Sequence, residues 1–582
     1  MVIEQIWNFL GVQNETMIKA INSVLIVALV SLLLWQASSF NQAYTRIPLL
    51  SKLKSKSKEN VTQMYNVHPT LLPTTGSAVT LKNDQQRIDD QLNLVEAKEG
   101  QKAATLHMFV LVHGFKGAAR DLVYLKTQIE KLTSENQLLN NSTSSVAVLA
   151  AKCNQGNTDD GVQAGGERLV REIYETIRQE IRRMETNGEI RVTDITLSFV
   201  GNSLGGLYSR YAAARIREFS LKERHHLTGS NHTSNEMSMF GRKLLYNVFC
   251  STASPHLGTA DHTYIRLPRA IELGIAFALQ QTGRDLFRLN HLLRDMATQP
   301  YYLDALAAFG KRVAYANAYS TDFMVPTETA AFLNAACKTP HTFLDTQQLL
   351  QELQQDESSD QVEFEEHVKH YRDNPLIVAA LHTDMTYRPA NYTEILTQKQ
   401  TSMEDDQSQG EVSVKNETDE LVQMASALDS LGWKKVFIDL REDMPLRPLK
   451  LSLQENGSNL LNIPIPIPLP PLPFSSKRSP SATDMSANNG NGGSKRIMCQ
   501  RMQRLRNQNI VGSHDLVEVL SAKDKISIPL GHNMIVALNK TTNPIMMAFN
   551  QLNQRGRPIM DSLAQELVED CLRANMNKRP SK

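Results

Sequence analysis

"FVGNSLGGLYSR", Phe199–Arg210, sets Ser203 between Gly201 and Gly205. A G-x-S-x-G pattern carries chemistry only where a strand runs into it and a helix leaves it. Both are written in the flanks. "ITLSFV" (Ile195–Val200) is a short apolar run with strand character, and "GLYSRYAAARI" behind it reads as a helix. Such a turn holds the serine in a strained backbone conformation with no room for neighbouring side chains, which gives Gly201, Gly205 and Gly206 a physical purpose. A helix N-terminus under Ser203 also favours the negative charge that develops during acyl transfer. Without those flanks, Ser203 would be an ordinary serine in a glycine-rich loop.

Further strands lie on either side. "HMFVLV" (His107–Val112) is a continuous apolar run, as a buried parallel strand should be, and it ends in "HGFKG" (His113–Gly117). Asp121 then opens a helical pattern through Leu122, Leu125, Ile129 and Leu132. "SVAVLA" (Ser145–Ala150) follows, then an amphipathic helix over 165–185 with Leu169, Ile173, Ile177 and Ile181 on one face. "YNVFCST" (Tyr246–Thr252), "RVAYANAY" (Arg312–Tyr319) and "WKKVFIDL" (Trp433–Leu440) complete the strands. Strands alternating with helices predict an α/β fold, a mostly parallel sheet covered on both faces.

A serine hydrolase needs more than its nucleophile. The loop His113–Gly117 is placed to aim the Phe115 N–H at the oxyanion that the Leu204 N–H would also bind. The plainer reading is a strand-to-helix turn using Gly114 and Gly117. The chain order of such a triad is serine, acid, histidine. Asp322, in "AYSTDFMVPTETAAF", lies just past a strand and before a helix, where an acid would sit or where an aspartate simply starts a turn. Three histidines compete for the base. His532, in "IPLGHNMIVAL", follows the last expected strand and opens a helix. His514 has a sufficient role as a helix cap, and His382 ends "LIVAALH" ahead of that last strand.

The remaining 582-residue chain sets limits. Its net charge of +1 argues against a nucleic-acid partner. Five scattered cysteines without C-x-x-C spacing exclude a disulfide framework or zinc ribbon. His367 and His370 on an acidic stretch read as exposed rather than as a metal site, so neither metal nor cofactor is expected. "AINSVLIVALVSLLLW" (Ala20–Trp35) reads as a membrane anchor, with a cleaved signal peptide and a buried helix as the alternatives. Lys52, Lys54, Lys56 and Lys58 behind it put the bulk of the chain on the cytosolic side. Sequons at Asn140, Asn231 and Asn391 do not decide topology.

The expected division is an anchor at 1–40, a basic tether at 41–104 and a core at 105–335 that holds nucleophile and acid. An acidic helical or disordered insert at 336–430 precedes a last core strand at 431–442. A Pro-rich, low-complexity insert at 443–505 precedes a histidine loop with C-terminal helices at 506–582. The tract "IPIPIPLPPLPF" (Ile463–Phe474) is a stiff spacer or a surface for a protein partner. "LPRAIELGIAFALQQ" (Leu267–Gln281) is either a core helix or a lid over an acyl site.

"HGFKG", "SFVGNSLGGLYSRYA", "STASPHLGT" and "NAYSTDFMVPTETAAF", in this order, resemble the serine esterase family of lipase-like α/β hydrolases. That family includes phospholipase-type enzymes on lipid droplets and membranes. The resemblance covers about residues 105–335 and resumes at "WKKVFIDL" and "GHNMIVAL". It implies an α/β-hydrolase fold with Ser203 as nucleophile, Asp322 as acid, His532 as base, and Phe115 and Leu204 as oxyanion donors. His113, Gly114, Gly201, Gly205 and His256 would support the site, His256 as a structural or pocket-lining residue. Asn202 departs from the family, where a histidine is usual before the nucleophile. The implied activity is cleavage of a lipid carboxylic ester at a membrane or lipid-droplet surface, in the endoplasmic reticulum or on droplets, without a cofactor. Deacylation of lipid-linked glycans, acyl-protein thioester cleavage and a non-catalytic lipid-binding scaffold are the alternatives.

Overall fold

Eleven residues from Lys102 to Val112 make an interior strand one in from the edge of the sheet, and their alternation explains why both of its faces are covered. Leu106, Met108, Val110 and Val112 enter the core on one face, while Phe109 and Leu111 enter the core on the other. A strand buried on both faces is close to continuously apolar; from Ala104 to Val112 only Thr105 and His107 are polar, and the His107 ring pairs with Thr196 Oγ1 at 2.7 Å.

A computed structural model describes residues 101–136, 139, 143–228, 236–260, 269–319, 321–322, 324–344, 374–389, 417–443, 449–450, 500–521, 525–526, 531–539 and 550–576. The anchor at 1–40, the tether as far as residue 100 and the tract 463–474 lie outside these residues. So do Asn140, Asn231, Asn391, His367 and His370. Among the described residues, no helix is long and apolar enough to cross a membrane. The elements below belong to one compact unit, Ser57–Lys450 with Arg501–Lys582; the other unit, Met1–Lys56 with Leu451–Gln500, falls outside the described residues except for Gln500.

In chain order, β1 (Lys102–Val112) is followed by α1 (Val123–Glu135), β2 (Ser144–Ala150), α2 (Gly161–Glu185), β3 (Ile190–Asn202) and α3 (Leu204–Thr228). Then come β4 (Met237–Met239), β5 (Arg242–Thr252), four short helices α4 (Arg269–Ala278), α5 (Gln280–Leu286), α6 (Leu292–Thr298) and α7 (Pro300–Ala307), and β6 (Lys311–Asn317). β7 (Pro340–Phe343), β8 (Ile377–His382), α8 (Glu417–Asp429) and β9 (Lys434–Ile438) follow. The chain closes with β10 (Ile510–Gly512), α9 (Ser513–Leu520), α10 (Gly531–Met534) and α11 (Arg557–Met576).

Ten strands form one sheet in the order β10-β7-β8-β9-β6-β5-β3-β1-β2, with β4 as a hairpin on β5. The run from β9 to β2 is parallel throughout. β8, β7 and β10 add to it antiparallel. Two boundaries therefore differ from expectation. The stretch 336–430 contributes β7, β8 and α8 to the folded unit, and the sheet ends at β10 rather than at the strand in 431–442.

The order also reverses direction. The chain moves outward from β1 to β2, then crosses to β3 and continues through β5, β6 and β9. In open parallel sheets the crevice at such a reversal, beyond the C-terminal strand ends, is where ligands bind. Here it lies between the ends of β1 and β3, which carry His113–Gly117 and Ser203. α2 and α3 cover one face, and glycines let them pack closely: a Cβ on Gly165 would meet the Tyr208 ring at 2.2 Å, and one on Gly166 the Tyr211 ring at 2.4 Å. α1 and α11 contribute to the core on the opposite face.

Candidate active site

Ser203 sits between the last residue of β3 and the first of α3, with φ 54°. That left-handed conformation costs a residue with a Cβ about 1 kcal/mol or more, so the surroundings must impose it. They do so through backbone. The Ser203 N–H donates to Thr252 O at 2.9 Å, and Gly206 N–H donates to Ser203 O at 3.0 Å. Added Cβ atoms would have no space: on Gly201 one would lie 2.5 Å from Gly206 Cα, and on Gly205 one would lie 2.2 Å from Val112 O. Gly205 is therefore where the nucleophile turn leans against the end of β1. Asn202 is buried, and its Oδ1 accepts from Thr252 Oγ1 at 3.0 Å, fixing the step before the serine.

β1 ends beside Ser203. A Cβ on Gly114 would lie 2.7 Å from Ser203 Cβ and 3.2 Å from its Oγ. Leu204, as first residue of α3, has an amide with no intrahelical acceptor. Phe115 is half-buried one step past Gly114, and Lys116 after it is left-handed, with φ 50°. The buried His113 turns its Nδ1 to Gly114 O at 3.0 Å.

Asp322 lies in the loop after β6 and is almost completely buried. Its Oδ1 accepts from the backbone N–H groups of Met324 and Val325, each at 2.9 Å. Its Oδ2 accepts from Asn317 Nδ2 at 2.9 Å and from His532 Nδ1 at 2.9 Å. An acceptor on Nδ1 fixes the neutral ring with its proton there and leaves Nε2 as the basic atom. His532 belongs to α10, and Gly531 presses it onto the acid's loop: the Gly531 N–H donates to Thr321 O at 2.9 Å, and a Cβ there would lie 2.6 Å from that oxygen. On the other side, a Cβ on Gly556 would meet Met534 O at 1.6 Å.

The other two histidines sit elsewhere. His382 pairs in register with Lys434, at the N-terminal end of β9 and so at the sheet edge opposite Ser203. His514 is exposed on α9 beside Asp515. His256 is wholly buried behind the nucleophile turn. Its Nε2 pairs with Ser251 Oγ at 2.8 Å, and its Nδ1 faces Arg210 Nη1 at 3.3 Å. Burial, then the charges of Arg210 and Lys435, hold it well below the usual histidine range. Edge-on contacts with Phe332 and Trp433 complete its surroundings. Sequence reading missed Asn317, Thr321 and Gly531, which hold the acid and histidine. Only the polar end of "RVAYANAY" hinted at the first of these.

These elements define an α/β architecture with a strand–serine–helix turn and a carboxylate–histidine pair at the C-terminal strand ends. Residues 102–339 match the family model described as "Putative serine esterase". Two yeast proteins are similar to part of the chain. "Putative lipase ROG1" of Saccharomyces cerevisiae is 30% identical over 257 residues, 43% of this chain and 30% of its own length. "Putative lipase YDL109C" of the same organism is 26% identical over 253 residues, 42% of this chain and 32% of its own length. The matched region spans about a third of the length of these relatives.

Proposed function

We propose that the protein is a serine hydrolase of the α/β-hydrolase type that cleaves carboxylic esters of lipids. The observation that carries this reading is the left-handed Ser203 on its strand–helix turn. His532 Nε2 takes the Oγ proton as Oγ attacks the acyl carbonyl, and Asp322 stabilises the imidazolium through Nδ1. The N–H groups of Phe115 and Leu204 hold the oxyanion. Collapse of the tetrahedral intermediate expels the alcohol with the histidine's proton. Water, activated by the same histidine, then releases the acid.

The lipid substrate is supported by the names of the similar yeast proteins and by the apolar run at 20–35. An anchor there would keep the catalytic unit on the cytosolic side of a membrane or at a lipid droplet. The test has two parts. Wild type should react with a fluorophosphonate probe and hydrolyse a soluble short-chain ester, and Ser203→Ala should do neither. Rates on phospholipid or acylglycerol vesicles should then exceed those on the soluble ester. A well-folded wild type that neither labels nor turns over ester would end the hydrolase reading; activity confined to soluble esters would end the lipid one.

A further inference from the structure

The strained backbone at Lys116 has a specific holder. Its N–H donates to Thr158 Oγ1 at 3.0 Å, and its ammonium pairs with Asp159. Thr158 is wholly buried, and it reaches in a second direction. Its carbonyl accepts from Thr282 Oγ1 at 2.6 Å, and Thr282 N–H donates to Asp159 O at 3.1 Å. Thr282, also wholly buried, lies on α5, and its Oγ1 in turn accepts from Gly161 N–H at 2.9 Å. The same junction is doubled by Asp285 of α5, whose Oδ2 accepts from Val162 N–H at 2.7 Å.

Residues 116, 158 and 282 thus form one chain of hydrogen bonds from α5 to the loop carrying Phe115. We propose that Thr158 is a positioning residue that fixes the Phe115 amide through Lys116, and that Thr282 of α5 extends this hold into the helical segment after β5. The inference rests on the ester-hydrolase reading of Ser203. Its physical basis is that a peptide N–H is aimed by the torsions on both sides of it. Lys116, directly after Phe115, occupies a left-handed state that it would leave if its N–H lost its acceptor. The oxyanion donor would then be present but misaimed, which weakens transition-state binding more than substrate binding.

Thr158→Val keeps the shape and removes the acceptor; Thr158→Ser keeps the acceptor. On a soluble ester, Thr158→Val should lower kcat about tenfold or more with KM within about twofold, and Thr158→Ser should restore kcat. Thr282→Val, at a residue of α5, should give the same kcat-only signature. Melting curves establish that each variant is folded. A folded Thr158→Val with wild-type kcat overturns the inference. So does a loss that Thr158→Ser fails to rescue, or one carried by KM. If Thr158→Val does not fold, Thr282→Val decides, and wild-type kcat there overturns the inference. An inactive wild type would sink the hydrolase reading and this inference with it, whereas an active wild type with unaffected variants sinks this inference alone.

Discussion

Gly114→Ala tests the contact between the end of β1 and the nucleophile. The new Cβ would lie 2.7 Å from Ser203 Cβ, 3.1 Å from Asn202 O and 3.2 Å from Ser203 Oγ. Carbon atoms rest at about 3.5–4.0 Å, so something must move by roughly 1 Å. The two nearest obstacles are not flexible side-chain tips. Asn202 O is backbone, and Ser203 Cβ is fixed by a backbone that is itself pinned through Thr252 O. Either Ser203 or the loop bearing Phe115 gives way. A displacement of about 1 Å at a reacting centre costs on the order of 100-fold in rate. The overpacking itself costs about 1–3 kcal/mol, a fall in Tm of a few degrees in a unit of this size. The assay is kcat on a soluble chromogenic ester beside the fluorophosphonate labelling rate and a melting curve. Gly274→Ala, whose Cβ would meet nothing within 4 Å, is the control and should match wild type. A folded Gly114→Ala retaining kcat within about threefold would refute the geometric reasoning.

Asp322→Asn should reduce kcat by about 10³-fold or more, because the amide cannot hold both His532 and the two backbone donors in the same way; His532→Gln should match it, and a double variant no worse than either single would show that they act as one unit. Glu566→Gln should destabilise the fold by about 3 kcal/mol in denaturant titration, since it removes the buried carboxylate shared by Lys311 and Lys434, although Lys311 keeps Asp570; an unchanged midpoint would show those pairs to be dispensable. Stability should fall as pH drops from 7.5 to 5. Burial, with Lys435 nearby, brings His341 down to about 2, and His256 and His382 are also lowered by burial. The unfolded chain binds protons through pH 6.5 while these buried rings do not, so their contribution is complete above that pH and is lost below it, at about 2 kcal/mol each by pH 5 for the most buried two. Asp429, pushed up to about 6 by burial, and Asp570, also raised, act in the opposite sense. The net loss is on the order of 2 kcal/mol, and an equal or higher urea midpoint at pH 5 would contradict it.

The sequence carried the parallel half of the sheet and the nucleophile turn plainly, because both rest on local signals. β1, β3, β5, β6 and β9 are apolar runs that end in turns, and the elbow needs its glycines next to the serine. β7 and β10 were not legible for a physical reason. They have four and three residues, too few for a period to show, and they are strands only because β8 offers an edge to β7 and β7 in turn offers one to β10. "LIVAALH" stood out as apolar, yet nothing in it said that it joins the sheet antiparallel. Asp322 could be placed by its position after a strand. Its hold on His532 could not, since that depends on Gly531 seating against Thr321 O and on Met534 O packing against Gly556. His256 reads from the sequence as structural or pocket-lining, and its ring turns inward onto Arg210 and Trp433.

The bond between His532 and Asp322 joins residues 210 positions apart, and the histidine comes still later relative to Ser203. On the proposed mechanism this orders the protein's biogenesis. The nucleophile turn is complete in sequence once β5 has been synthesised, but the ring that would activate it emerges from the ribosome roughly 20–60 s later at ordinary rates of synthesis. It is then held by a seam that also needs Gly556. A nascent chain would therefore carry the nucleophile turn without its base while the 280 residues from Thr252 to His532 are made. On that mechanism, hydrolytic capacity would arrive only once His532 and the Gly556 that seats its helix have both been made.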